Sequence, residues 1–202
     1  RERAAGIRSV IAQQQPDGAV RQSQMVTTYG PGSMVDLLND AVLVGGIDFW
    51  NYDREFAIPH IDEPRLRDAI VSQFKQLGRE LSHDHPFRAP PVGNDHEPSK
   101  FAGITVLEFP QWYVCQNPKC RALERHDGME LKSHRRWHQC TNTTKSECVP
   151  VRFVEACKLG HLSDFRWIAF VHQVQGSERC AAPSLTFDEG PSGDFQDIRI
   201  VC

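Results

Sequence analysis

The sequence predicts an α+β fold, a scaffold of short strands and helix with zinc-ribbon-like elements, and three observations lead to it. Residues 63–81 repeat apolar side chains mostly three or four positions apart, with Pro64 in the first turn, as a helix with one packed face does. Two apolar runs, 41–47 and 103–109, have the length and composition of strands. Most cysteines of the second half lie close together in the sequence, which favours metal-binding turns between strands.

The composition limits the classes of function. With 202 residues and 40% hydrophobic content, the chain can bury a modest core. A net charge of −3 gives no general attraction to phosphate, which argues against a protein that coats DNA through its overall charge. The sequence contains no leader peptide and no run of about 20 apolar residues, so we expect no membrane partner and a cytoplasmic location.

Seven cysteines, an odd number, fit a closed set of disulfides poorly and fit a reducing compartment well. The chain starts at Arg1 and stops at Cys202, directly after the apolar residues Ile198, Ile200 and Val201. We therefore interpret it as a fragment of a longer protein.

Three parts are predicted along the chain. Residues 1–24 form an N-terminal arm, which mixes Arg, Gln and Gly with few apolar residues. Residues 25–100 form an α/β region that includes an exposed proline-rich loop or linker at 82–100, where the prolines remove backbone donors and disfavour helix. Residues 101–202 form the zinc-binding region.

A sharp turn is predicted at residues 29–33, because two glycines flank Pro31. Ser33, followed by Asp36 three residues later, has the pattern of a helix N-cap. The sequence therefore predicts a brief helix that starts at Ser33.

Four cysteines form the first candidate metal site. Cys115 and Cys120 have four residues between them, Cys140 and Cys148 have seven, and nineteen residues separate the two pairs. Zinc in structural sites prefers four soft ligands in a tetrahedron, at about 2.3 Å for sulfur, although the second gap is wider than usual. Such a site leaves no position for water and contributes on the order of 10 kcal/mol to folding. The alternative is four unrelated buried thiols.

A second zinc site is predicted from Cys157, His161, Cys180 and Cys202, which again offer four soft or borderline ligands. The alternative is that His161 bonds to Asp164 and that the cysteines are core thiols. His172 has the same ambiguity with less support.

The segment between the first cysteine pairs is locally basic. Residues 119–138 contain six Lys or Arg against three acidic residues. Lys132, Arg135 and Arg136 are therefore candidates for contact with nucleic acid. The alternative is a solvated excursion from a zinc ribbon.

Motifs of common enzymes are missing from the sequence: it has no phosphate-binding loop that ends in Gly-Lys-Ser/Thr, no nucleophile elbow and no His-Glu-x-x-His. We therefore expect a scaffold without catalytic residues. The alternative is a zinc-dependent hydrolase or nuclease, in which Cys157, His161 and Cys180 hold a metal with a bound water and Asp164 acts as the base. A sequence-specific DNA reader lacks a recognition helix with a basic face.

Four segments together resemble one family. They are SQMVTTYGPGSMVDL at 23–37, FRAPP at 87–91, VRFVEAC at 151–157 and GHLSDF at 160–165. Their order and spacing are similar to those of the DrmB family, the B component of the DISARM bacterial anti-phage system, whose members carry a domain of unknown function and are longer than this chain.

The resemblance implies an accessory subunit of a superfamily-2 helicase, a DrmA-like partner that would hold the ATP site. The pair would engage phage DNA, directly or through the helicase. It also implies metal binding at Cys115, Cys120, Cys140 and Cys148, and it assigns no catalytic residue.

Overall fold

The structure, a computed structural model, describes residues 20–52, 61–80, 87–91, 103–174 and 180–202. Its helices are α1 (Gln22–Thr27), α2 (Pro64–Gln76) and α3 (Trp167–Val174). Its strands are β1 (Met34–Asp36), β2 (Ala41–Val44), β3 (Trp50–Asn51), β4 (Gly103–Ile104), β5 (Val106–Glu108), β6 (Trp112–Cys115), β7 (Ala122–Arg125), β8 (Glu130–Lys132), β9 (Arg135–Gln139), β10 (Lys145–Pro150), β11 (Val154–Ala156), β12 (Leu162–Asp164), β13 (Leu185–Asp188) and β14 (Arg199–Val201). Helices thus combine with antiparallel sheets, which confirms the predicted α+β class.

The chain divides into two compact units. One consists, in its described residues, of Asp36–Ala41 and Glu108–Cys202, and the other lies within Ala19–Val35 and Val42–Leu107. The predicted zinc-binding region, 101–202, overlaps the first unit from Glu108 onward. The predicted boundaries after residues 24 and 100 stay a prediction, and most of the predicted arm, 1–19, lies outside the described residues.

A seven-stranded antiparallel sheet dominates the first unit, in the order β14-β13-β7-β6-β10-β9-β8. Its neighbouring strands β6 and β10 pair so that Cys115 lies opposite Cys148. Strands β8 and β9 are joined by Ser133 and His134, which both have positive φ, as a tight two-residue hairpin requires. Cys115, Cys120 and Cys140 lie on or next to the turns that follow β6 and β9, and Cys148 lies within β10.

Side chains of β6 belong to two different hydrophobic clusters, because successive side chains of a strand point to opposite faces of the sheet. Val114 belongs to a cluster with Trp167 and Val171 of α3 and with Phe187 of β13. Tyr113 and Cys115 belong instead to a cluster with Met129 and Cys148. The cysteines thus lie on the face of β6 opposite to the one that packs with α3.

The brief helix predicted from Ser33 is wrong, because the structure has β1 there. The Val44 backbone N–H donates to the Ser33 carbonyl at 2.9 Å, and the Gly32 N–H donates to the Val44 carbonyl at 2.8 Å. Backbone groups that would be hydrogen-bonded at a helix N-terminus are instead hydrogen-bonded to β2. This strand pairing outweighs the preference of Ser33 for a helix N-cap. The predicted turn is present, with Gly32 at a φ of +84°.

The predicted strand at 41–47 is confirmed for Ala41–Val44, which is largely buried, and a 3-10 helix follows at Ile47–Phe49. The predicted strand at 103–109 is divided into β4 and β5. Thr105 lies at the break, where its carbonyl accepts the N–H of Gly45 at 2.9 Å and its hydroxyl donates to the Phe49 carbonyl.

The predicted helix at 63–81 is present as α2, with Pro64 in its first turn as expected. It ends earlier than predicted, at a cap on Leu77 followed by Gly78 with a φ of +69°. None of its residues is fully buried, but Arg67, Ile70, Val71 and Phe74 share one face and are half-buried, so the expected packed face is present in part.

The proline-rich loop at 82–100 is described only at 87–91, where Pro90 and Pro91 are buried and not exposed as predicted. Among the described residues, no helix has both the length and the apolar character that crossing a bilayer requires.

Candidate metal centre

Four side chains of the first unit bring their ligand atoms within 4.8 Å of one another. They belong to Cys115 at the end of β6, Cys120 in the following turn, His138 in β9 and Cys140 directly after β9. We call this set the Cys3His group.

Distances in the Cys3His group match those between the ligands of a tetrahedral zinc ion. The Sγ atoms of Cys115 and Cys140 are 3.5 Å apart, and the Sγ of Cys120 is 3.5 Å from His138 Nδ1. Bonds of about 2.3 Å to sulfur and 2.0 Å to nitrogen place two tetrahedral ligands about 3.6–3.8 Å apart. The sulfur atoms are far beyond the bond length of about 2.05 Å in a disulfide.

Short turns hold the thiols of this group in place. In the turn after β6, the Asn117 carbonyl accepts the N–H groups of Cys120 and Arg121, each at 2.9 Å. The Asn117 N–H points to Cys115 Sγ at 3.5 Å. After β9, Cys140 donates its N–H to the Thr144 carbonyl at 2.9 Å. Backbone hydrogen bonds of both turns therefore fix the cysteine positions, and the side chains of Asn117 and Thr141 add hydrogen bonds to the same turns.

The ring of His138 is oriented from both sides. Its Nδ1 faces Cys120, and its Nε2 lies 3.5 Å from Glu124 Oε1. A metal-bound histidine usually gives its other ring N–H to a carboxylate, which fixes the tautomer and makes the ligand more basic. The Glu124 carboxylate lies on that side of the His138 ring, within ion-pair distance.

Cys148, the fourth cysteine predicted for this site, lies next to the group and outside it. It faces Cys115 across the sheet, is buried, and points its Sγ to the Ser146 carbonyl at 3.8 Å. The structure thus brings three of the four predicted cysteines together with a histidine. The sequence analysis did not assign His138 to the site. Its spacing of two from Cys140 on a strand, which puts both residues on one face, is the signal that identifies it.

The thiols of this region ionise differently from one another. Burial raises the pKa of Cys115 to about 12, and neighbouring Cys140 and Cys120 add to that rise. Burial also raises the pKa of Cys148 to about 12. Burial acts in the same direction on Cys140, but hydrogen bonds with residues that include Ser146 and His138 outweigh it and lower its pKa to about 6. A cation at the centre would supply the positive charge that several neighbouring thiolates need.

The predicted nucleic-acid residues differ in their partners. Arg136 donates to both carboxylate oxygens of Glu108, at 3.2 and 2.7 Å, and Tyr113 donates to the same carboxylate at 2.6 Å. Burial raises the pKa of Glu108, but these hydrogen bonds outweigh it and hold that pKa below its usual range. Arg135 pairs with Glu147 at 3.0 Å, and Lys132 is exposed on β8. Two of the three positive charges are therefore paired with carboxylates.

The second predicted site is not gathered into one group among the described residues. Cys157 and His161 lie together at the β11–β12 turn, with Sγ and Nδ1 3.2 Å apart. Cys180 and Cys202 lie together elsewhere, in a group with His172. The set Cys157, His161 and Cys180 of the hydrolase alternative is likewise not assembled. Asp164, the base of that alternative, accepts the Gln111 backbone N–H at 2.8 Å.

One known protein family matches most of the chain. The family described as "Domain of unknown function (DUF8724)" matches residues 21–202. The chain belongs to this family. All seven cysteines and the three candidate histidines, His138, His161 and His172, lie within the DUF8724 region.

A curated relative adds a second comparison. The chain is 23% identical over 169 residues to "DISARM protein DrmB" of Bacillus paralicheniformis, an alignment that covers 83% of this chain and 26% of that protein. The chain thus spans about a quarter of the length of the relative. The alignment supports the resemblance to DrmB that the four sequence segments indicate.

Removal of the carboxylate behind His138 tests its orienting role. Replacing Glu124 by Ala is expected to lower the zinc affinity of the Cys3His group about 10-fold to 100-fold, because carboxylates that hold metal ligands in position have effects of that size. Competition for zinc with a colorimetric chelator measures the change. Glu130→Ala, which removes an exposed carboxylate of β8, is the matched control and should leave the affinity unchanged. Equal affinities of Glu124→Ala and wild-type protein would contradict the orienting role.

Proposed function

We propose that this chain is the zinc-stabilised part of a non-catalytic accessory subunit in a DISARM-like anti-phage defence system. Zinc is held by Cys115, Cys120, His138 and Cys140. The observation that carries this proposal is the Cys3His group itself, with ligand atoms that lie within 4.8 Å of one another. The similarity to DISARM protein DrmB supplies the biological setting.

The donor set favours zinc. Three thiolates and one imidazole are soft to borderline ligands, and a tetrahedral arrangement of such ligands is typical of structural zinc sites. Cys148 is the competing fourth ligand, since it lies opposite Cys115 in the sheet. The carboxylate behind His138 favours the histidine.

A filled coordination sphere supports a structural role for the metal. With four protein ligands, the ion has no open position at which it could bind and activate a water molecule. The ion instead joins the turns after β6 and β9, both of which also pack against the cluster of Tyr113 and Met129. Zinc would therefore fix the surface formed by these turns.

The proposed partner is a superfamily-2 helicase subunit, DrmA-like, which carries the ATPase activity. DNA reaches the complex through this helicase or through both subunits. The net charge of −3 and the ion pairs of Arg135 and Arg136 weaken the attraction of this region for phosphate, which favours DNA contact through the helicase. The zinc-stabilised turns would help to bind the helicase subunit and would take no part in catalysis.

Affinity capture tests this function. The full-length protein that contains this chain is tagged, coexpressed with the helicase subunit of its own defence system, and examined by native mass spectrometry. We expect the helicase and zinc to be recovered together. The Cys115→Ser variant should lose zinc and most of the helicase, whereas Cys157→Ser, which removes an exposed thiol outside the group, should retain the helicase.

Two results would contradict the proposal. One is a helicase that remains bound at the wild-type level to a Cys115→Ser protein without its zinc. The other is metal-dependent cleavage of DNA or RNA by the purified protein alone, abolished by His161→Ala, which would favour the hydrolase.

A further inference from the structure

We propose that His172, Cys180 and Cys202 form a second zinc site, different in composition from the set that the sequence predicts. The ligand atoms of these residues lie within 4.8 Å of one another. His172 Nε2 is 2.7 Å from Cys180 Sγ, which in turn is 3.1 Å from Cys202 Sγ. We call this set the Cys2His group. It does not rest on the proposed function, because it shares no residue with the Cys3His group.

The tautomer of His172 prepares its ring for a metal. Its Nδ1 lies 2.6 Å from the Ile168 carbonyl, one turn earlier in α3, and a carbonyl can only accept a hydrogen bond. Nδ1 therefore carries the proton, and the lone pair of Nε2 points to the two thiols. A backbone carbonyl behind the ring is one of the common partners of metal-bound histidines.

Burial gives this orientation an energetic basis. His172 is 7% exposed and is the buried polar residue of the described chain. A buried ring nitrogen without a partner is costly, so Nε2 requires either a hydrogen-bond donor or a cation. A single thiol would satisfy it. The second thiol, Cys202, is not needed for a hydrogen bond and is the residue that distinguishes a metal site from a paired core histidine.

Three separate parts of the fold converge on this point. His172 belongs to α3, Cys180 precedes β13, and Cys202 directly follows β14. Strand β14 is fixed by its antiparallel pairing with β13, in which Val201 lies opposite Thr186. The thiols of Cys180 and Cys202 are thus brought together by long-range structure across 22 positions of the sequence.

The chemistry of the group indicates the ligand. Two thiolates and one neutral imidazole are a donor set that zinc accepts, and three protein ligands leave one position of the tetrahedron for an exchangeable ligand. The Sγ–Sγ distance of 3.1 Å is longer than the roughly 2.05 Å of a disulfide and shorter than the roughly 3.8 Å of two zinc-bound thiolates. Both cysteines are exposed, so a small outward movement of their side chains is sterically open.

Zinc counting tests the site. The chain is purified under reducing conditions, loaded with zinc, freed of excess metal by gel filtration and analysed by mass spectrometry for zinc per protein. We expect two zinc ions in the wild-type chain and one in Cys202→Ser. Cys157→Ser, which removes an exposed thiol of the β11–β12 turn, is the matched control and should keep two. His172→Ala is the second variant and should also lose one.

Each contrary result is distinct. A Cys202→Ser chain that binds as much zinc as wild type overturns the Cys2His group, and so does an equal loss in Cys157→Ser. Alkylation of the denatured, unreduced chain should modify all seven cysteines after zinc removal; modification of only five would indicate a disulfide and overturn the site. A different result would overturn the Cys3His group, namely a Cys115→Ser chain that binds as much zinc as wild type.

Discussion

Replacing Cys115 by Ser is expected to release the zinc of the Cys3His group and to destabilise the fold by about 5 kcal/mol or more. The residue is fully buried, and its thiol faces Cys140 at 3.5 Å. Structural zinc contributes on the order of 10 kcal/mol to folding, and a serine hydroxyl is a much poorer zinc ligand than a thiolate. Denaturant unfolding, followed by tryptophan fluorescence in the presence of zinc, measures the loss.

A control separates metal loss from local packing. Excess chelator should lower the free energy of unfolding of the wild-type chain by more than that of Cys115→Ser, because the variant can lose only the zinc of the Cys2His group. Cys157→Ser should unfold like wild type. If the chelator destabilises the wild-type chain and Cys115→Ser equally, Cys115 is not a ligand.

The choice between His138 and Cys148 gives the second large effect. His138→Ala is expected to lower zinc affinity by more than about 100-fold, because loss of a ligand should exceed the effect of losing Glu124, the carboxylate behind it. Cys148→Ala, at a buried position where Ala avoids an unpaired hydroxyl, should keep the zinc and lose only packing. Zinc competition with a chelator measures both variants.

Cobalt substitution gives an independent result for the same pair. Charge-transfer bands of thiolates bound to Co²⁺ should indicate three thiolates in both wild-type and Cys148→Ala chains when the Cys2His group is removed by Cys202→Ser. The assignment of His138 would be contradicted if the charge-transfer intensity fell by the contribution of one thiolate in Cys148→Ala while the spectrum of His138→Ala stayed unchanged.

The cysteine spacing predicts much of the first candidate site. Cys115, Cys120 and Cys140 lie next to turns that the sequence marks with residues such as Asn117 and Pro118, and the structure brings these three together. The fourth member depends on strand register. A pairing that puts His138 opposite Ser146 and Cys148 opposite Arg136 is a property of β9 and β10 together, which spacing alone does not provide.

The second candidate site depends even more on contacts that residue spacing does not predict. Cys157 and His161 are close in sequence, and a local turn does bring them together. The group that contains Cys180 and Cys202 instead takes its histidine from α3, through long-range packing of that helix. Sequence proximity favoured His161, which the structure places beside Cys157 and away from that group, because proximity carries no information on packing between distant elements.

Helices and strands of the fold also differ in how well their own residues predict them. The helix α2 has a periodic apolar pattern and Pro64 in its first turn, so local signals suffice to predict it. Strand β1 has the local signal of a helix cap at Ser33, and its backbone pairs with Val44 instead. Short segments next to a partner strand are governed by that partner more than by their own residues.

X-ray absorption at the zinc edge tests the central claim most directly, with the Cys202→Ser chain so that only the Cys3His group remains occupied. The spectrum should fit three sulfur atoms at about 2.3 Å and one nitrogen at about 2.0 Å, with the outer-shell scattering of an imidazole. Four sulfur atoms without imidazole would contradict the account and identify Cys148 as the fourth ligand.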